Sequence, residues 1–240
     1  MTALTVLGVL LFAQLGRWQW HRAAQKRAVA AAFAAGTALD TGALGERSTS
    51  ALPRYAHVRV SGEYDGAHQF LLDNMNYGGR TGYEVLTPLR LQDGRVLLVN
   101  RGWIELPGGR RDRVPDIAIG ATGGAAAGGA AAGRVDISGR LDALPVTGLA
   151  LGVVPPSLDP VWPKRTSFPA MSQLEAALGH RLEARQLLLA PGAPDGYIRD
   201  WHSAGSGFGP ERHMSYAIQW WGLGALCLFL FGFMNLERRP

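Results

Sequence analysis

His213-Met214-Ser215-Tyr216-Ala217-Ile218-Gln219-Trp220-Trp221 opens the stretch that decides the fold, and the apolar run Gly222 to Leu236 completes it. From Met214 to Leu236 there are 23 consecutive residues without a formal charge. At about 1.5 Å per residue such a run crosses a hydrocarbon core of about 30 Å, which predicts a transmembrane helix over 213–236. Tyr216, Trp220 and Trp221 cluster at its start, and Arg238 and Arg239 follow its end. Aromatic rings at the interface and a charged tail in water are what such a span requires.

At the other end of the chain, Thr2 to Gly16 is uncharged but too short to span alone. Trp18 and Trp20 can form an interfacial belt while Arg17 snorkels, which extends the predicted first span over 1–22. A cleaved signal peptide fits less well, because Arg17, Arg22, Lys26 and Arg27 follow the apolar run instead of preceding it. A start codon set too far downstream, hiding a basic tail, would account for the shortness. Four Lys or Arg follow the first span and two follow the second, a count that by itself puts the central domain in the cytoplasm. Long domains, however, translocate largely regardless of charge.

The 240 residues carry a formal net charge of +5, with much of the basic excess beside the apolar ends. No helix-turn-helix, zinc-finger spacing or basic stripe interleaved with aromatics occurs, which argues against nucleic acid as a partner. The one cysteine, Cys227, lies inside the apolar C-terminal stretch, so neither an intrachain disulfide nor a multi-cysteine metal site can form.

Between the spans, residues 23–210 read as a β-rich domain. An alanine-rich helical stretch around Ala23 to Ala35 comes first. Short β-type runs follow at His57–Tyr64, Gln69–Asp73, Gly82–Leu91, Arg95–Ile104, Val135–Leu141 and Glu183–Leu189, with a helical pattern at Met171–Leu178. Gln92-Asp93-Gly94 reads as a hairpin turn. The expected fold is therefore membrane α+β: two transmembrane helices flank an antiparallel sheet or partly closed barrel with one peripheral helix. Gly120 to Gly133, almost wholly Gly and Ala, predicts a flexible surface loop. The Gly/Ser-rich run Ser203 to Pro210 predicts a hinge.

Few motifs carry chemistry. Arg101-Gly102-Trp103 is either a ligand-facing strand end, where Gly permits close backbone approach, or a bulge with a packed Trp and a surface Arg. His57, His68, His180 and His202 lack metal-ligand spacing. No nucleophile elbow or phosphate-binding glycine fingerprint occurs in a strand-to-helix context. At the membrane boundary, His213 shares a helix face with Tyr216, Ala217 and Trp220, with Gly224 a turn further on. Gly16 to Arg22 supplies a second imidazole, His21, and two guanidiniums at similar depth. An axial imidazole, an aromatic wall and cations for propionates would suit haem, yet His, Trp and Arg are also ordinary interfacial anchors.

Taken together, Leu15-Gly16-Arg17-Trp18-Gln19 with Arg22 and Lys26, Leu71-Leu72-Asp73-Asn74, Gly82-Tyr83-Glu84-Val85-Leu86-Thr87-Pro88-Leu89, Val99-Asn100-Arg101-Gly102-Trp103-Ile104 and His213 to Trp220 resemble the surfeit locus protein one (Surfeit/Shy) family. The matches fall in family order across nearly the whole chain, apart from the Gly/Ala loop and Leu144 to Ala193.

The resemblance implies a non-enzymatic cytochrome c oxidase assembly factor, multi-pass in the bacterial plasma membrane, with its domain on the periplasmic side. It implies haem a as a candidate cofactor, held for insertion into oxidase subunit I, and His213 as the leading candidate ligand to the haem iron. Tyr216, Trp220, Trp18 and Arg22 complete the implied cofactor-binding set, while Gln19, Arg101, Gly102 and Trp103 match motifs that serve a partner or the fold. The implied partners are oxidase subunit I and its assembly intermediates, the haem-synthesis machinery and membrane lipid. The alternative is a cofactor-free scaffold that docks on those intermediates.

Overall fold

The computed structural model describes residues 2–38, 40–110, 113–120, 133–146, 152–201 and 209–236. Most of the Gly/Ala loop and of the expected hinge, and His202, lie outside them. The chain divides into two compact units, one of Met1–Ala31 with Ser203–Pro240 and one of Ala32–His202.

The first unit is built on two helices. α1 runs unbroken from Thr2 to Ala38, and α3 from Pro210 to Leu236. Among the described residues only Pro210–Asn235 is both long and apolar enough to cross a membrane. The N-terminal span expected over 1–22 is thus one part of a 37-residue helix whose apolar stretch ends at Gly16. Alanines and straight-chain Gln, Lys and Arg dominate beyond Trp20 and favour helix, so nothing local stops α1 where its hydrophobicity stops.

Among the described residues the second unit is an eight-stranded sheet. Its strands are β1 (Asp40–Ala43), β2 (His57–Tyr64), β3 (Phe70–Tyr77), β4 (Arg80–Leu91), β5 (Val96–Glu105), β6 (Val135–Asp142), β7 (Lys164–Thr166) and β8 (Gln186–Leu189), in the order β1-β2-β6-β8-β5-β4-β3-β7. The sheet is mixed, not antiparallel as expected, because β1 pairs parallel with β2, β7 with β3, and β8 with β5. A further antiparallel pairing of β2 with β4 links β2, β6, β8, β5 and β4 into a circuit of hydrogen-bonded neighbours.

The pattern of each strand explains its place. In β2 the side chains of Val58, Val60 and Tyr64 are buried while Arg59 and Glu63 face water, the period-two signature of a half-buried strand. β4 and β5 are buried on both faces and read as near-continuous apolar runs. Leu89, Leu97 and Val99 enter one cluster with Val58, Leu141 and Leu187, whereas Leu86 and Leu98 enter another with Phe70, Leu72 and Leu174. Each such leucine contributes roughly 1.5–3 kcal/mol by leaving water. Leu174 comes from α2 (Met171–Leu178), which ends at Gly179 in the left-handed conformation (φ 77°), where a side chain would be strained.

Arg101-Gly102-Trp103 lies on β5 at a register break opposite β4, where Glu84 pairs with Trp103 and Leu86 with Asn100. The bulge is there, but the Arg is not on the surface. Arg101 is wholly buried, and its guanidinium donates to Asp195 O at 2.6 Å, Ile117 O at 2.9 Å, Gln69 Oε1 at 3.0 Å and Ala118 O at 3.5 Å. It also stacks over the Tyr197 ring. Gly102 has φ 106°, and a Cβ there would lie 2.6 Å from Ile198 O, so only glycine fits. Trp103 donates its indole N–H to Met75 O and its backbone N–H to Ile198 O. The motif fastens two loops to β5.

A second polar lock holds the segment before β2. Glu183 accepts from the Thr49 N–H (2.8 Å), the Thr49 hydroxyl (2.9 Å) and Arg95 (2.8 Å). Burial acts to raise this carboxyl, but the Thr49 N–H, Arg95 and the Thr49 hydroxyl outweigh it and hold it below the ordinary Glu value.

Candidate functional site

Small residues decide how the two helices meet. Gly16 and Ala23 of α1 and Ala217 and Gly224 of α3 are buried, seven residues apart on each helix, and Phe12, Gln19, His213 and Trp220 are half-buried between them. Phe12 stacks on Trp220 with ring centroids 5.8 Å apart, and its Cβ lies 3.5 Å from where a side chain on Gly224 would begin. Trp221 occupies the space over Gly16, so a Cβ at Gly16 would fall 2.3 Å from its indole nitrogen. Trp20 adds a tilted contact to Trp221 at 6.0 Å. Phe12 meets Trp220 and the Gly224 position, whereas Gln19, further along α1, meets His213, earlier in α3, so the helices run antiparallel. Close approach through glycine and alanine is how helices associate where lipid removes the hydrophobic drive between them.

A polar contact crosses this seam. His213 Nδ1 lies 2.7 Å from Gln19 Oε1. The amide oxygen can only accept, so the neutral imidazole carries its proton on Nδ1 and keeps a lone pair on Nε2. Ligating histidines are oriented in this way, with the second ring nitrogen donating to a carbonyl oxygen. The donor chemistry therefore fits one axial bond to a haem iron, with Trp220 and Phe12 supplying apolar ring surface on the same seam.

The other residues singled out from sequence fall elsewhere. Tyr216 is 38% exposed and Trp18 54% exposed, neither among the seam's buried positions. Arg22 is exposed and donates to Gln25 at 3.2 Å. His21 Nε2 accepts a long 3.5 Å contact from Arg17, which engages one of its two ring nitrogens. Arg101, Gly102 and Trp103 belong to the sheet unit and serve its packing. Gln19, read in sequence only as a motif residue, is the partner of His213, and Phe12 was not singled out at all. Among the described residues no group of three or more His, Cys, Asp or Glu side chains could hold a metal ion.

A family model described as the SURF1 family matches residues 6–225 of the chain. The comparison with curated proteins finds no match.

Proposed function

Because the chain belongs to the SURF1 family, a family of membrane-linked factors associated with cytochrome c oxidase assembly, we propose that it holds haem a at the paired helices and hands it to oxidase subunit I. The observation that carries this reading is the His213–Gln19 contact at 2.7 Å, which leaves the His213 Nε2 lone pair for an iron.

In this reading His213 supplies the single axial bond, and Gln19 holds its ring in the ligating tautomer. Trp220 and Phe12 offer apolar surface for the macrocycle, with Tyr216 and Trp18 at its margin. Arg22, exposed near the interfacial tryptophans, attracts propionates. Bound haem would contribute no chemistry of its own here beyond being the cargo. The chain orients it, limits water at its apolar faces, and releases it because one axial bond is weaker than two. The protein acts as a non-catalytic, multi-pass factor of the bacterial plasma membrane, with the sheet unit on the periplasmic side. There the sheet unit docks on assembly intermediates, and the haem-synthesis machinery supplies the cargo. Membrane lipid surrounds the helices.

A second reading has its own support. The seam is filled at Gly16 by Trp221 and at Gly224 by Phe12, so the helices pack without needing a ligand between them. That suits a cofactor-free scaffold for oxidase intermediates. Absorption spectra of detergent-purified protein from cells that make haem a separate the two. The haem reading expects a Soret band in the wild type that is lost in His213→Ala. Clean apoprotein in both, from cells confirmed to contain haem a, would leave the scaffold.

A further inference from the structure

In the sheet unit Arg54 meets Asp142 at 2.6 Å, Arg80 meets Glu105 at 3.1 Å and Arg95 meets Glu183 at 2.8 Å. Arg140 is different. Its guanidinium carbon lies 4.4 Å from the Phe33 ring centroid, and among the described residues no oxygen accepts from its five N–H groups. On β6 Ile137 and Leu141 enter the core cluster, so Arg140 alternates to the opposite face. Its cross-strand neighbours there are His57 of β2 and Leu188 of β8. Two basic side chains thus stand directly opposite each other, and the Asp40 carboxylate stays 3.9 Å from His57, beyond hydrogen-bond reach. A cavity of about 250 Å³ is lined by this pair together with Leu188, Arg199, Asp200 and Trp201, among other residues. The 199–201 segment is fixed beside β8. Trp201 donates its indole N–H to Leu189 O at 2.7 Å, and Arg199 Nη1 donates to Ala190 O at 2.8 Å and Ala193 O at 2.7 Å. The Nε and Nη2 atoms of Arg199 have no acceptor among the described residues. Burial holds this guanidinium below its ordinary value, so an anion beside it would be favoured.

We infer that this cavity binds a small organic carboxylate with a compact apolar body. Charge selects the anion. Among the lining residues two guanidinium side chains stand against one carboxylate, Asp200, a surplus of one positive charge before His57 is counted, which complements a monoanion. Size limits the body. A dry cavity of about 150 Å³ admits benzene, so 250 Å³ has room for one ring and its carboxylate. Leu188 and Trp201 supply apolar surface, and the planar fork of Arg140 matches both oxygens of a carboxylate. Apolar walls with a few placed polar groups are the ordinary composition of a small-molecule site. The inference does not depend on haem binding.

The test is fluorine NMR of para-fluorophenylacetate titrated with the full chain in nonionic detergent, with empty micelles as the blank. The wild type should broaden and shift the fluorine signal in a saturable way. Arg140→Gln, its urea midpoint recorded alongside, should bind about 10–100-fold more weakly, because a charge-assisted pair is lost. Arg59→Gln removes an exposed cation that does not line the cavity, and it should change the affinity by less than about twofold. The neutral para-fluorophenylacetamide should show no saturable binding to the wild type, a comparison that needs no variant. Absence of saturable binding by the acid, or equal affinity for acid and amide, would overturn the inference. So would equal affinity of wild type and Arg140→Gln. Tighter binding of para-fluorophenyl phosphate, a dianion, would overturn the assignment to a carboxylate.

Discussion

The helix pair and the sheet unit bury their residues by opposite rules. In the sheet, Phe70, Leu71, Leu72, Val85, Leu86, Leu97 and Leu98 are all 0% exposed, and large apolar side chains do the filling. Where α1 meets α3 the buried positions include Gly16, Ala23, Ala217 and Gly224, while Leu7, Leu10, Leu226, Leu228 and Phe229 stand exposed. An apolar helix that buries its small residues and exposes its large ones is adapted to lipid, where area burial no longer drives association and shape does. The polar groups differ in the same way. Arg101 is buried and spends its guanidinium on carbonyl oxygens of its own unit, whereas His213 uses one ring nitrogen on Gln19 and keeps the other. Arg101 and Glu183 are fasteners of the sheet unit, where the buried hydroxyls of Tyr55, Tyr64 and Tyr83 bond nothing among the described residues, and in the helix pair His213 keeps one ring nitrogen beyond Gln19.

Breaking a fastener should therefore cost stability without touching the helix pair. Arg101→Met should lower the urea resistance of the sheet unit by about 3 kcal/mol, since charge-assisted bonds to Asp195 and Ile117 are lost inside the fold. Urea titration of the detergent-solubilised chain by tryptophan fluorescence measures it, and a change below about 1 kcal/mol would mean that Arg101 is not a fastener.

The converse substitution is Gly16→Val, which places a Cβ against the Trp221 indole. Overpacking of this kind costs about 1–3 kcal/mol. It should part the helices, seen as loss of energy transfer between dyes placed on α1 and α3, while the urea midpoint of the sheet unit stays at its wild-type value.

Glu183 gives the smallest effect and sharpens the account of the sheet. Its folded value is depressed, so its contribution is present above the unfolded value, about 4.3, and is lost as pH falls through the lower folded value. Stability of the wild type should decline across that acid window. Glu183→Gln should be less stable by about 1 kcal/mol at neutral pH and show a flatter decline. Parallel pH profiles in urea titrations would contradict the assignment.

What the sequence discloses follows the same division. The strand at His57–Tyr64 and the helix at Met171–Leu178 match their residue patterns end to end, because alternation and a 3.6-residue period are local signals. β1 and β7 are four and three residues long and pair parallel with β2 and β3, so they leave no alternation to read, and together with the parallel pairing of β8 to β5 they make the sheet mixed. The burial of Arg101 was illegible, since charged residues are seldom buried and its acceptors lie on distant loops. At the helix pair, the face bearing His213 and Trp220 was readable from helical spacing. Its partner Gln19 stands 194 residues away, and only the packing of α1 on α3 brings the two together. The span expected over 1–22 and the helical stretch expected around Ala23 to Ala35 form one continuous helix, α1, because helix propensity outlasts hydropathy there.

The central claim is that Gln19 holds His213 ready to ligate, and titration of haem a into the detergent-purified full chain tests it most directly. Wild type should bind one equivalent with an imidazole-ligated spectrum, His213→Ala should lose that spectrum, and Gln19→Leu should keep it at an affinity lower by about 10–100-fold. Unchanged binding in His213→Ala, or identical affinities for wild type and Gln19→Leu, would contradict the account.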